Sequence, residues 1–203
     1  MNNQNTERTR RITTIGLCFL VALLEGVDLQ SAGIAAQGLA KALMLDKPHM
    51  SFVFSVGIFG MLPGAFIGGR LADYLGRKRV LIASVIVFGL FSLATTATWD
   101  FTSLLAARLL TGIGLGSAMP NLIALCSENA GERHRATAVT IMYCGMPLGA
   151  ALIALVNAFG YSAEWKSVFY IGGLLPLLIT PLLAFFMPES TQFNATHTGA
   201  GSH

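Results

Sequence analysis

The chain has 203 residues, of which 54% are hydrophobic and 11% charged, with a formal charge of +3. A soluble domain carries roughly 25% charged residues, so composition excludes an ordinary soluble domain, and basic residues confined to loops imply no nucleic-acid partner. Cys18, Cys126 and Cys144 all fall within apolar stretches and form neither a disulfide framework nor a metal-ligand spacing.

In chain order, residues 1–11 form a basic tail with Arg8, Arg10 and Arg11. The first apolar segment, residues 12–40, is too long for a signal-peptide h-region, carries acids at mid-depth and shows no small-residue cleavage site. It is therefore expected to stay as a spanning helix. Five more segments follow at residues 51–69, 80–99, 101–126, 136–161 and 167–187, each near the roughly 20 residues that cross a bilayer. Between the second and third lies Gly69-Arg70-Leu71-Ala72-Asp73-Tyr74-Leu75-Gly76-Arg77-Lys78-Arg79, which reads as a short, basic, sharply turning loop. Residues 12–187 are thus expected to form one six-helix transmembrane domain, and residues 188–203 a cytoplasmic tail that begins a central linker.

Charge sets the orientation. Arg8, Arg10, Arg11, Arg70, Arg77, Lys78, Arg79, Arg133 and Arg135 fall on one set of loops, and Lys41, Lys47 and Lys166 on the other. The positive-inside rule then predicts that both termini are cytoplasmic.

No nucleophile–base pattern, phosphate-cradling loop or metal-ligand cluster is present in the sequence, so neither an enzyme nor a cofactor is expected. His49, His134, His197 and His203 lie in loops or the tail and read as solvated. The informative charges are Glu25 and Asp28, near the middle of the first helix, and Arg108, well inside the fourth. A charge at the bilayer centre costs about 2.5–3.5 kcal/mol on insertion scales, and persists where it faces a cavity or a partner. A structural ion pair that merely locks two helices is the plainer alternative.

Glu25 and Asp28 are spaced i, i+3 and share one helical face. By helical rise, Asp28 lies about 15–18 Å below the outer end of the first helix and Arg108 about 10–12 Å below that of the fourth. An arginine side chain spans the difference if the two helices are neighbours. Two carboxylates on one face disfavour double ionisation, while the guanidinium stabilises one of them. The expected product is a site that holds one exchangeable proton.

Gly60, Gly64 and Gly68 make a small-residue stripe on the second segment, expected to serve close packing, and Gly112 and Gly116 repeat it on the fourth. Gly145-Met146-Pro147-Leu148-Gly149 predicts a bend in the fifth, suited to packing or to a gate. Asn121, Gln30, Gln37 and Tyr143 are polar at membrane depth, able to line a cavity or to bond a neighbouring helix.

These motifs resemble a known family. Gly69-x-x-x-Asp73-x-x-Gly76-Arg77-Lys78-Arg79 resembles the loop 2–3 signature of the major facilitator superfamily, and Arg108-x-x-x-Gly112-x-x-x-Gly116 its helix 4 motif. Trp165-Lys166-x-x-Phe169 and Pro188-Glu189-Ser190 look like marks of its organic-ion and sugar branches. Glu25-Gly26-Val27-Asp28 is similar to the acid-Gly-x-Asp signature of the aromatic acid/proton symporters. The resemblance runs from about Thr13 to Ser190. It departs at Tyr74, where the signature has Arg or Lys, and in length, because the family has twelve helices in two halves.

The resemblance implies an all-α integral membrane fold: six transmembrane helices, as two inverted three-helix repeats, forming one half of a transporter. It implies proton-coupled uptake of an aromatic carboxylic acid, of the 3-(3-hydroxyphenyl)propionate type. Glu25 and Asp28 would carry the proton. Arg108 would pair with Asp28 or hold the substrate carboxylate, with Asn121, Gln30 and Tyr143 as further substrate contacts. Gly69, Asp73, Gly76, Arg77 and Arg79, with Glu128 and Arg135, would form a cytoplasmic gate, Asp73 meeting a helix end of a missing second half. The partners are then the acid, the proton, the lipid bilayer and that second six-helix half. The alternatives are a sugar or other organic-solute porter, a truncated fragment that does not transport, and a homodimer of half-transporters.

Overall fold

The computed structural model describes residues 2–160 and 164–190, with side chains from residue 8 onward. The expected end of the fifth segment at Tyr161 and the tail beyond residue 190, with His197 and His203, lie outside the described residues. Six α-helices account for the bundle: α1 (Asn2–Ala42), α2 (Lys47–Leu75), α3 (Arg77–Thr95), α4 (Phe101–Ala130), α5 (Arg135–Ala158) and α6 (Trp165–Phe186). All six are long and apolar enough to cross a membrane.

Helix starts follow local chemistry. Asp46 caps α2 by accepting from the His49 amide at 2.9 Å, with Pro48 in the first turn. Asp100 and Ser103 form a reciprocal capping box on α4. Two expectations are corrected here. The helix of α1 starts at Asn2 rather than at residue 12. The stretch expected as a charged loop is almost wholly helical, α2 running on through Asp73 to Leu75 and α3 beginning at Arg77. Gly76 alone makes the break, at φ +94°, a conformation that side-chain-bearing residues rarely adopt. Alternating apolar and charged residues hid those helical turns, because a helix emerging from the bilayer no longer needs an apolar surface.

The packing is that of two interlocked triads. The first helix of each triad packs on the second helix of the other, α1 on α5 and α4 on α2, while α3 and α6 pack on each other and on α4 and α1 respectively. Glycines set both close contacts. A Cβ added to Gly60 or Gly64 of α2 would stand 2.5 Å from the Leu109 carbonyl oxygen or 2.3 Å from that of Ile113. Reciprocally, one at Gly112 would meet the Gly57 carbonyl at 2.0 Å. On the other side, one at Gly149 of α5 would meet the Leu23 carbonyl at 1.9 Å, and one at Gly26 of α1 that of Met146 at 2.0 Å. Where lipid is as apolar as leucine, such close backbone approach is what favours helix association. Through Pro147, the expected bend, α5 continues as helix, with Gly145 and Gly149 both turned onto α1.

The main core lies between α1, α3 and α4, around Val21, Val85, Phe88, Leu115 and Leu122. Apolar side chains remain uncovered on α5 and α6, among them Leu152, Leu155, Leu178 and Phe185, and on α2 they form an aromatic stripe: Phe52, Phe59 and Phe66 recur at seven-residue intervals with Ile58 and Leu62 beside them, all exposed.

Candidate functional site

Because α1 and α4 are central and in contact, their buried charges meet. Arg108 Nη2 donates to Asp28 Oδ2 at 3.4 Å, with Asp28 fully buried and Arg108 5% exposed. Asp28 Oδ1 accepts from the Ser92 hydroxyl of α3. Ser31, one turn on, donates to the carbonyls of Val27 at 2.7 Å and of Val168 in α6 at 3.3 Å. The Arg108 guanidinium also sits 5.5 Å from the centre of the Phe169 ring, a distance at which a ring face attracts a cation. The carboxylate of α1 is thus bonded from α3 and α4, and α6 packs against the pair through Val168 and Phe169.

The partnership uses both oxygens of Asp28 but only one arm of the guanidinium. Among the described residues, Arg108 Nη1 is buried without a hydrogen-bond partner, as is Glu25 Oε1, one helical turn from Asp28. Arg108 also lines a small cavity of about 110 Å³ between α1, α2 and α4, with Leu29, Phe54, Gly57, Ile58 and Gly112 among its walls. A guanidinium using one arm of its fork on Asp28 and bordering an apolar cavity can receive a second carboxylate.

The other expected substrate contacts are not gathered there. Asn121 is buried about 20 Å further along α4, where its amide nitrogen donates to the Ser117 carbonyl of its own helix at 2.8 Å. Gln30, Gln37 and Tyr143 are exposed, on α1 and α5, with no side-chain hydrogen bond among the described residues.

The expected gate residues divide. Arg77 pairs with Glu128 of α4, whose other oxygen accepts from Ser190 at 2.5 Å. Glu189 accepts from the Lys78 amide and from the Ser190 amide, each at 2.9 Å. Lys78 Nζ reaches the Ala184 carbonyl at 2.7 Å. Gly76 lies under Glu189: a Cβ there would stand 2.6 Å from its Oε2. The segment after α6 therefore supplies the cap that Gly76 cannot offer to α3. Outside this cluster, Asp73, Arg79 and Arg135 are exposed and Gly69 has open space beside it. Residue patterns did not single out Ser92, Phe169, Glu189 or Ser190 as site residues. A serine deep in an apolar helix was a usable signal for the first, and Pro188-Glu189-Ser190 for the last two.

An interlocked pair of three-helix units with an ion pair between its central helices is the architecture of one six-helix half of a secondary transporter. The family model of the Major Facilitator Superfamily matches residues 18–202, and the chain belongs to that family. It is 59% identical over 189 residues to the 3-(3-hydroxy-phenyl)propionate transporter of Escherichia coli (strain K12), covering 93% of this chain and 47% of that protein. It is 43% identical over 182 residues to the 4-hydroxybenzoate transporter PcaK of Pseudomonas aeruginosa, covering 87% and 40%. The chain thus spans about half the length of the curated relatives it matches. Among solved structures, the proton:xylose symporter XylE bound to 6-bromo-6-deoxy-D-glucose aligns with a TM-score of 0.84 at 19% identity, over 94% of this chain and 47% of that one. That likeness concerns the fold alone.

Proposed function

We propose that this chain is the N-terminal six-helix half of a proton-coupled importer of an aromatic carboxylic acid of the 3-(3-hydroxyphenyl)propionate type, acting with a second six-helix half in a bacterial inner membrane. The observation that carries the reading is the half-used guanidinium: Arg108 gives Nη2 to Asp28 while Nη1 has no partner among the described residues. The substrate carboxylate takes Arg108, Asp28 loses its counter-charge and takes a proton, and the neutralised site reorients across the membrane. Glu25, buried one turn away, is the second carboxyl able to hold that proton. The apolar cavity wall accepts the aromatic ring. The exposed aromatic face of α2 and the exposed Asp73 are the surfaces a second half would cover. The relatives named as transporters of 3-(3-hydroxy-phenyl)propionate and 4-hydroxybenzoate support the aromatic-acid reading over a sugar one.

The test is uptake of labelled 3-(3-hydroxyphenyl)propionate by cells that express this chain together with the second half of the Escherichia coli relative, with and without a protonophore. Accumulation that the protonophore abolishes and that Arg108→Gln removes is expected. Uptake indifferent to the protonophore would overturn the coupling, and sugar uptake in its place would overturn the substrate class.

A further inference from the structure

Between α2, α3 and α4, towards the α2–α3 junction, a groove of about 290 Å³ opens on the bundle surface. One wall is Ile67, Leu71 and Leu75 of α2, and the other Val80, Ala83 and Val87 of α3. At its floor, the hydroxyls of Ser84 and Ser117 bond to each other at 2.7 Å, so the polar groups there are already satisfied. From Leu75 to Gly64 the groove follows α2 for about 16 Å, half of the roughly 30 Å hydrocarbon core of a bilayer. It is as long as one leaflet is deep.

Arg79 is the charged residue of the lining, exposed at the junction end. Its neighbours' charges are directed elsewhere, Arg77 to Glu128 and Lys78 to the Ala184 carbonyl. The groove also lies away from the aromatic stripe of α2, since Leu71 is about 120° round the helix from Phe59. Whatever covers Phe52, Phe59 and Phe66 therefore leaves it open.

We infer that this groove binds an anionic phospholipid of the leaflet at the α2–α3 junction, one acyl chain lying along α2 and α3 and the phosphate held by Arg79. A cation at headgroup depth above a leaflet-deep apolar slot matches the two ends of such a lipid. The inference rests on the membrane-spanning reading of the six helices and is independent of the transport proposal.

The experiment is titration of the purified full chain, in neutral detergent micelles, with phosphatidylglycerol, bound lipid being counted by native mass spectrometry. Arg79→Gln should weaken binding about fivefold, whereas Arg70→Gln, whose guanidinium lies 4.7 Å over the exposed Phe66 ring, should leave it within twofold. Ala83→Phe, which fills the slot without touching the charge, should weaken it as well, with the thermal unfolding of all three variants matching the parent. Equal losses in Arg79→Gln and Arg70→Gln would reduce the effect to diffuse attraction, and binding unchanged by Ala83→Phe would remove the acyl chain from the groove. Competition by glycerol phosphate as effective as that by the lipid would make this a free-phosphate site. Each of these overturns the inference.

Discussion

Arg108 and Asp28 lie eighty positions apart in the chain and 3.4 Å apart in the bundle, each buried. The pair is held from four sides, by Ser92, Phe169 and the two helices that carry it. Removing one member leaves the other charge uncompensated, which costs about 3–5 kcal/mol in buried pairs. Asp28→Asn and Arg108→Gln should each lower the unfolding temperature of the detergent-solubilised chain, and the double variant should be less destabilised than the sum of the singles. Additive losses would show that the pair is not energetically coupled.

For transport, Asp28→Asn in the two-half assembly is the informative variant. Its neutral amide keeps the size of the side chain but cannot take up the proton released from the gradient. Exchange of labelled acid across the membrane should persist while accumulation against a gradient is lost. If accumulation driven by the pH gradient survived, the swap at Arg108 would be wrong.

The glycine contacts give a graded series. Gly64→Ala and Gly112→Ala place a Cβ 2.3 Å and 2.0 Å from backbone oxygens of the facing helix, so α2 and α4 must separate. Both should reduce the folded yield and thermal stability, by the 1–3 kcal/mol typical of overpacking. Gly69→Ala, with nothing within 4 Å, should instead be neutral or stabilise by up to about 1 kcal/mol through helix propensity. A Gly69→Ala as damaging as Gly112→Ala would contradict the packing described.

At the α2–α3 junction, Glu189→Ala should free the Lys78 amide, costing about 0.5–2 kcal/mol, as for loss of an N-cap. Gly76→Ala should cost more, since it adds positive-φ strain and a collision with the same carboxylate. Hydrogen exchange at the first turn of α3 is the readout; protection unchanged in Glu189→Ala would mean that the cap carries no weight.

The cap at Asp46 should be pH-sensitive. The His49 backbone amide, then its ring, hold the Asp46 carboxyl below the ordinary carboxylate value of about 3.9. A depressed folded value means that the contribution is complete above the unfolded value and lost as pH falls through the folded one. Exchange of the His49 amide, corrected for its intrinsic pH dependence, should therefore quicken below about pH 4. Asp46→Asn should flatten that response; if it did not, another group would be responsible.

The six spans and their class were legible because the bilayer demands about 20 apolar residues at a time, a local property of the chain. The stripe Gly60, Gly64 and Gly68 was legible as a packing surface for the same reason. Asp73 and Arg77 were misread as loop residues, since a helix leaving the membrane carries the same charges a loop would. Gln30 and Tyr143 could not be placed, because membrane depth follows from position in the chain while the facing direction depends on which helix covers which.

The sequence by itself determined that this is a six-span membrane chain with acids in α1 and a cation in α4, because desolvation cost and span length are set by the residues within each segment. Only the tertiary structure decided that α1 and α4 are the central neighbours, that Ser92 of α3 joins Arg108 on Asp28, and that Glu189 returns from the end of α6 to cap α3. Those outcomes depend on backbone approach at Gly26, Gly64, Gly112 and Gly149, where helices distant in the chain come close enough for a side chain only a few ångströms long to choose its partner.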